Sequence, residues 1–129
     1  MLTIRPIEDK NTQSELCELC AAEYLADDLA YSCYEEDRFV GVCQFILKDS
    51  CVYLHTLATA LGVDDFGAKF IMGRAALNFA DLAGFHDAYY VKPEDEKLAE
   101  MIGFKNTDEG KWYFDLRGFF ESPCSCDKH

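Results

Sequence analysis

Seven cysteines, three histidines and one glycine-bearing junction are where this chain could do chemistry. Cys17-x-x-Cys20 has the spacing of a metal-ligand or redox pair. It lies inside a predicted helix, however, and not at a helix N-terminus after a strand, so helix packing is the expected role. Cys124-Ser-Cys126 with His129 is a partial zinc or copper set whose fourth ligand would have to come from His86, Cys17 or Cys20. A polar terminal tail is the simpler reading, and no metal site is assigned. The junction is "LATALGVDDFGAKFIMGRAAL", Leu57 to Leu77, where a strand-like run meets a glycine and becomes a long helix. Such junctions cradle phosphates because a helix N-terminus presents free N–H groups. Here Asp64 and Asp65 put negative charge where a phosphate would sit.

Two acidic runs have simpler roles. Glu94-Asp95-Glu96 suits a helix start, and Glu35-Glu36-Asp37 a solvated turn. A cationic acceptor, such as an amine or polyamine, could use either. Trp112, Tyr113 and Phe114 are expected in the core.

Composition narrows the classes. A chain of 129 residues, half of them hydrophobic and 14% aromatic, suits one globular domain with one core. A formal charge of −12 argues against nucleic acid and against an anionic membrane surface as partners. No apolar run is long enough to span a bilayer. MLTIRPIEDK lacks the pattern of a signal peptide, and with an odd cysteine count this predicts reduced thiols in the cytoplasm.

Patterning supplies the elements that must position these residues. Residues 2–7 alternate as a first strand, with Pro6 near its end. Thr12-x-x-Glu15 can form a capping box, and Leu16, Leu19 and Cys20 give helical spacing to about Tyr24. Strands follow at 29–34, at 38–47 (apolar on both faces and so central) and at 51–59. On the last of these, Tyr53, His55 and Leu57 are expected on one face. Residues 65–83 read as a mostly apolar helix ending at Gly84, covered on several sides. A fifth strand covers 86–91 and a helix 93–102, with Pro93 near its first position. A hairpin of 104–107 and 111–117 closes the domain, with Trp112, Phe114 and Leu116 on one face. The boundaries are 1–121 for the domain and 122–129 for the tail. The order β-α-β-β-β-α-β-α-β-β is that of a mixed α/β (α+β) sheet with helices on both faces.

This order, with a glycine loop before the long helix, resembles the GNAT superfamily of acyl-CoA-dependent N-acetyltransferases. "LATALGVDDFGAK" lies without gaps on the family's apolar strand end, linker and Arg/Gln-x-x-Gly-x-Gly/Ala loop, with Gly67 on the first glycine. "EMIGF" (Glu100 to Phe104) matches the helix-to-strand "LGF" signature, and "RFVGVCQF" the third strand with Gly41 in place. The resemblance covers nearly the whole chain. It implies a mostly antiparallel sheet of six to seven strands with a splayed central pair.

The resemblance also implies an activity: transfer of an acetyl group from acetyl-CoA to a small amine. Backbone groups of Leu57, Ala58 and Thr59 would hold the pantetheine. N–H groups of Phe66, Gly67, Ala68, Lys69 and Phe70 would hold the pyrophosphate. His55 lies near where the family often places a Glu that deprotonates the amine. The chain departs from the family at four positions: Asp64 replaces the loop Arg/Gln, Lys69 the second glycine, Lys92 the asparagine before the last helix, and Ala99 its tyrosine. That tyrosine is the family's general acid, and Tyr89 or Tyr90 could substitute for it. These departures leave a second reading open, a catalytically inactive GNAT-fold binding or regulatory module that has lost CoA binding. The apolar surplus on the long helix permits a homodimer.

Overall fold

The computed structural model describes residues 1–120. The Cys124, Cys126 and His129 tail therefore lies outside the described residues. Ten elements follow in the expected order: β1 (Leu2–Ile7), α1 (Lys10–Leu19), β2 (Leu29–Glu35), β3 (Arg38–Lys48), β4 (Cys51–Thr59), α2 (Phe66–Leu82), β5 (Asp87–Tyr90), α3 (Glu96–Ile102), β6 (Lys105–Asn106) and β7 (Trp112–Asp115). They build one seven-stranded sheet in the order β1-β2-β3-β4-β5-β7-β6. The β4–β5 pair is parallel and every other pair is antiparallel. Helices cover both faces, as the sequence predicts.

The larger core packs α2 and α3 against one face, with Met72, Leu77, Leu98 and Ile102 meeting Phe45, Leu54, Leu57 and Phe114. On the other face a smaller cluster sets Cys17 of α1 and Cys20, the cap that follows it, against Val42. β3 is buried continuously from Val40 to Phe45, as an interior strand between two helical layers should be. Trp112, Phe114 and Leu116 are all buried, as expected. α2 ends at Leu82 with Ala83 as its C-cap, and the next residue, Gly84 at φ 94°, closes the end as Gly84 N–H reaches Asp81 C=O and Phe85 N–H reaches Ala80 C=O.

Four local expectations are corrected. First, Asp9, not Thr12, caps α1, and Thr12 donates to the Asp9 carboxylate from its N–H at 3.0 Å and its hydroxyl at 2.9 Å. A carboxylate three residues earlier is the stronger acceptor for the first turn. Second, α1 stops at Leu19 and does not run to Tyr24. Leu61 N–H takes the Leu19 carbonyl, and Ala21 turns left-handed at φ 54°. The buried side of α1 is Gln13 and Cys17, continued by the cap residue Cys20, while Leu19 is 52% exposed. Third, α3 starts at Glu96 because Asp95 caps it through Leu98 N–H at 3.1 Å, which leaves Pro93 in the preceding loop. Fourth, α2, expected to be covered on several sides, leaves Ile71, Phe79 and Leu82 exposed. No helix among the described residues is long and apolar enough to cross a membrane.

Candidate active site

β4 and β5 pair only from Cys51–Leu54 to Asp87–Tyr90, and the last ladder bond runs from Val91 N–H to Leu54 C=O at 2.9 Å. β5 ends there for local reasons. Lys92 takes a φ of 52°, and Pro93 has no N–H to extend a ladder. β4 continues to Thr59, paired on its other edge with β3 out to Gly41. The edge of residues 55–59 that would face β5 is thus left without a strand, and the central pair splays.

A cleft of about 750 Å³ opens at this splay, walled by residues 20–23 and 25–28, by Tyr53 and His55 to Ala58 of β4, and by Tyr90 to Lys92. A bulge aims β4 into it. Phe45 pairs with Leu54 and Gln44 with Thr56, so His55 is the extra residue. The bulge overturns the expectation that Leu57 shares a face with Tyr53 and His55. Leu57 instead turns to the core beside Gly73, while Thr56 and Ala58 face the α1 side with Gln44 and Cys17.

The bulge sets His55 against a residue 27 positions away. His55 Nδ1 lies 2.6 Å from Asp28 Oδ2. Asp28 is buried, at 3% exposure, whereas the His55 side chain keeps 28%. Burial pushes the Asp28 carboxyl up, and the hydrogen bond from His55 with the charges of His55 and Lys10 works against that rise. An ionised Asp28 accepts the Nδ1 proton and so leaves Nε2 as the basic nitrogen of a neutral ring. Lys10 Nζ donates to the Asp28 backbone carbonyl and fixes the chain at that point.

A buried amide network holds the wall that carries Asp28. Gln44 Oε1 accepts from Gln13 Nε2 at 2.8 Å and from Leu25 N–H at 3.0 Å. Its Nε2 donates to Glu23 C=O at 2.8 Å and to Thr56 Oγ1 at 3.0 Å. Residues 23 to 25 are thereby tied to the strand position next to His55. A buried polar network this fully satisfied specifies one arrangement.

Tyr90 closes the inner end. Its ring packs in the core 5.5 Å from that of Phe104, the residue is 6% exposed, and it is one of those that line the cleft. Its hydroxyl has no hydrogen-bond partner among the described residues. Burial, with Cys43, Glu94 and Asp95 nearby, pushes it far above the usual phenol range. Tyr89 instead stacks between Tyr53 and Tyr113 outside the cleft, with ring centroids 5.7 and 5.3 Å away.

The loop before α2 is less open than its sequence suggests. Asp65 caps the helix, accepting Ala68 N–H on its carboxylate at 3.0 Å and Lys69 N–H on its carbonyl at 3.3 Å. Phe66 and Gly67 keep their N–H groups without an acceptor among the described residues, and Phe70 already lies within the helix. Of the pantetheine candidates, Leu57 and Ala58 line the cleft. Thr59 lies past it and donates its hydroxyl to Val63 C=O at 2.7 Å. Phe66 to Phe70 are likewise outside the cleft lining. Asp28 and the Gln13–Gln44 network are what sequence reasoning missed. The one available signal was Gln44, a lone amide within the apolar run "VGVCQFIL". Among the described residues no group of three His, Cys, Asp or Glu side chains could hold a metal ion.

No protein-family model matches the sequence, and no curated protein matches it. Solved structures do. A Bacillus subtilis acetyltransferase in complex with CoA is 17% identical, with 90% of this chain and 99% of that one covered at a TM-score of 0.71. An IAA acetyltransferase from Bacillus cereus is 18% identical, with 84% and 79% covered at 0.67. The PaiA N-acetyltransferase from Thermoplasma acidophilum in complex with coenzyme A is 13% identical, with 88% and 96% covered at 0.65. At these identities the likeness defines the fold. This chain has the fold of the GNAT N-acetyltransferases, in agreement with the resemblance read from its sequence.

Proposed function

We propose that the protein is an acyl-CoA-dependent N-acyltransferase that moves an acetyl group to a small amine. The observation that carries this reading is the His55–Asp28 pair, 2.6 Å apart, in the cleft where β4 and β5 part. The residues present suit the cosubstrate. The unpaired β4 edge at Leu57 to Thr59 offers backbone donors and acceptors to a pantetheine arm, and the Phe66 and Gly67 N–H groups offer a phosphate site at a helix N-terminus. Bound there, acetyl-CoA supplies a thioester carbonyl as the acyl donor.

The chain's own residues then divide the work. Asp28 holds the His55 ring through Nδ1. His55 Nε2 takes the proton of the amine, directly or through one water. The freed amine nitrogen bonds to the carbonyl carbon and sheds its second proton to solvent water as the C–S bond breaks and the electron pair leaves on sulfur. Tyr90, kept a neutral phenol by burial, donates a hydrogen bond to that sulfur. Its raised pKa suits hydrogen bonding better than full proton transfer, so the proton held on His55 passes to the departing thiolate. His55→Ala should lower thiol release by about 10²–10⁴-fold and leave acetyl-CoA affinity unchanged. Turnover equal to wild type would remove His55 as the base.

A second reading has its own support. Asp64 is exposed at the loop, the Asp65 carboxylate occupies one helix N–H, and Lys69 stands at the second glycine position. These favour a GNAT-fold binding or regulatory module without CoA. Failure to bind acetyl-CoA would select it.

A further inference from the structure

Lys10 opens α1 against the local rule. It follows the Asp9 cap directly, at a helix end whose dipole favours negative charge. Its ammonium reaches across to the cleft wall, where Nζ donates to the Asp28 backbone carbonyl, and Gln13 Oε1 accepts from the same Nζ at 3.0 Å. Gln13 is in turn tied to Gln44. A residue that conflicts with its own helix points to a demand elsewhere in the fold. That demand lies at Asp28, whose buried carboxylate takes a single hydrogen bond among the described residues, the one to His55. The titratable groups that face it are His55 on β4, Lys10 and Cys17 on α1, Cys43 on β3 and Asp27 on its own wall. Burial, and then the charge of Asp28, pushes both thiols up, so they stay neutral, and Asp27 repels. Lys10 is thus the fixed cation of this group.

We propose that Lys10 is a positioning residue for the transfer: its ammonium, docked on the wall at Asp28, keeps an extra proton off the Asp28–His55 pair. This rests on the acyltransferase reading of the same cleft. The working state is an ionised Asp28 holding a neutral His55 ring. One more proton, on either partner, ends that state, and such a proton belongs to the pair and not to one residue. A positive charge beside the pair makes that proton harder to add. The Asp28 carbonyl sets the distance of the charge, and Gln13, anchored on Gln44, sets its direction. Lys10 is exposed as a residue, so solvent screens its charge and the effect is modest.

The test follows the His55 ring proton resonance of the full chain by NMR from pH 5 to 9, assigned with His55→Ala. Lys10→Gln keeps a donor and removes the charge, and its titration midpoint should move to higher pH. Lys10→Glu suits the helix dipole better, so α1 keeps its start, yet it should move the midpoint further still. Lys10→Arg should restore the wild-type midpoint, and high salt should narrow all these differences. A midpoint that Lys10→Gln and Lys10→Glu leave in place, or that Lys10→Arg moves as far, overturns the inference. Thiol release from acetyl-CoA with butylamine as acceptor should fall about threefold more at pH 6 than at pH 8 in Lys10→Gln. An equal fall at both pH values makes Lys10 structural only and also overturns it. If wild type releases thiol and the midpoint ignores Lys10, only this inference falls. If wild type releases none while the midpoint follows the charge at Lys10, the acyltransferase reading falls, and the transfer role of Lys10 with it.

Discussion

His55 carries the proposed chemistry, and Asp28 decides whether it can. A buried carboxylate costs stability unless its hydrogen bonds and opposite charges offset the lost hydration. Burial is the largest influence on Asp28 and raises its pKa. A carboxyl whose folded pKa stands above its unfolded value contributes stability at low pH that is lost as pH rises through the folded value. Asp28→Asn should therefore gain stability relative to wild type between pH 4 and 7 in urea denaturation, while thiol release falls. A relative loss of stability over that range would contradict this. Asp87 is the opposite case. The Arg117 guanidinium and the Tyr113 hydroxyl hold its carboxyl down at about 2. Its contribution is present above the ordinary carboxylate range of about 4 and lost as pH falls toward 2. The stability gap between wild type and Asp87→Asn should close from pH 6 to pH 2, and a constant gap would refute the assignment. His55 stood out in the sequence by its place in the family pattern. Asp28 did not, because no spacing rule links residues 27 positions apart, and only the bulge in β4 brings them together.

The elements were more legible than the residues. Their order and nearly all their strands follow from periodicity, turn residues and the Gly84 stop, since local sequence dictates them. The helix starts were shifted by local carboxylate caps, Asp9 and Asp95, and the rest of what failed was set by tertiary competition. Leu61 claims the Leu19 carbonyl and shortens α1, and the His55 bulge moves Leu57 to the opposite face. The buried side of α1 was misread because Gln13, a polar residue, packs inward to meet Gln44. That amide pair carries a prediction at this scale. Gln44→Ala strands the Leu25 N–H and the Glu23 carbonyl in the wall of the cleft. These groups are only partly buried, so each orphan costs at most about 1–3 kcal/mol, and the urea midpoint should fall. The Leu25 amide should lose hydrogen-exchange protection ahead of β3 and β4. Loss of protection spread evenly over the sheet would mean that the network does not specifically hold residues 23 to 28.

Across the whole molecule, net charge and local geometry pull in opposite directions. A charge of −12 repels a CoA anion at long range, yet the splay and the α2 N-terminus provide local sites that screening at about 10 Å leaves effective. Asp64 is the exposed charge next to that helix start. Asp64→Arg with Lys69→Gly should tighten acetyl-CoA binding, most clearly at low salt, and an unchanged affinity would show that the loop is not a phosphate site. The most direct measurement is calorimetric titration of the wild-type chain with acetyl-CoA at two salt concentrations. Micromolar binding is the predicted result and would establish that the splayed strands and the Phe66–Gly67 amides still form a cosubstrate site. No detectable binding at either salt concentration would contradict it and leave the cleft to another ligand.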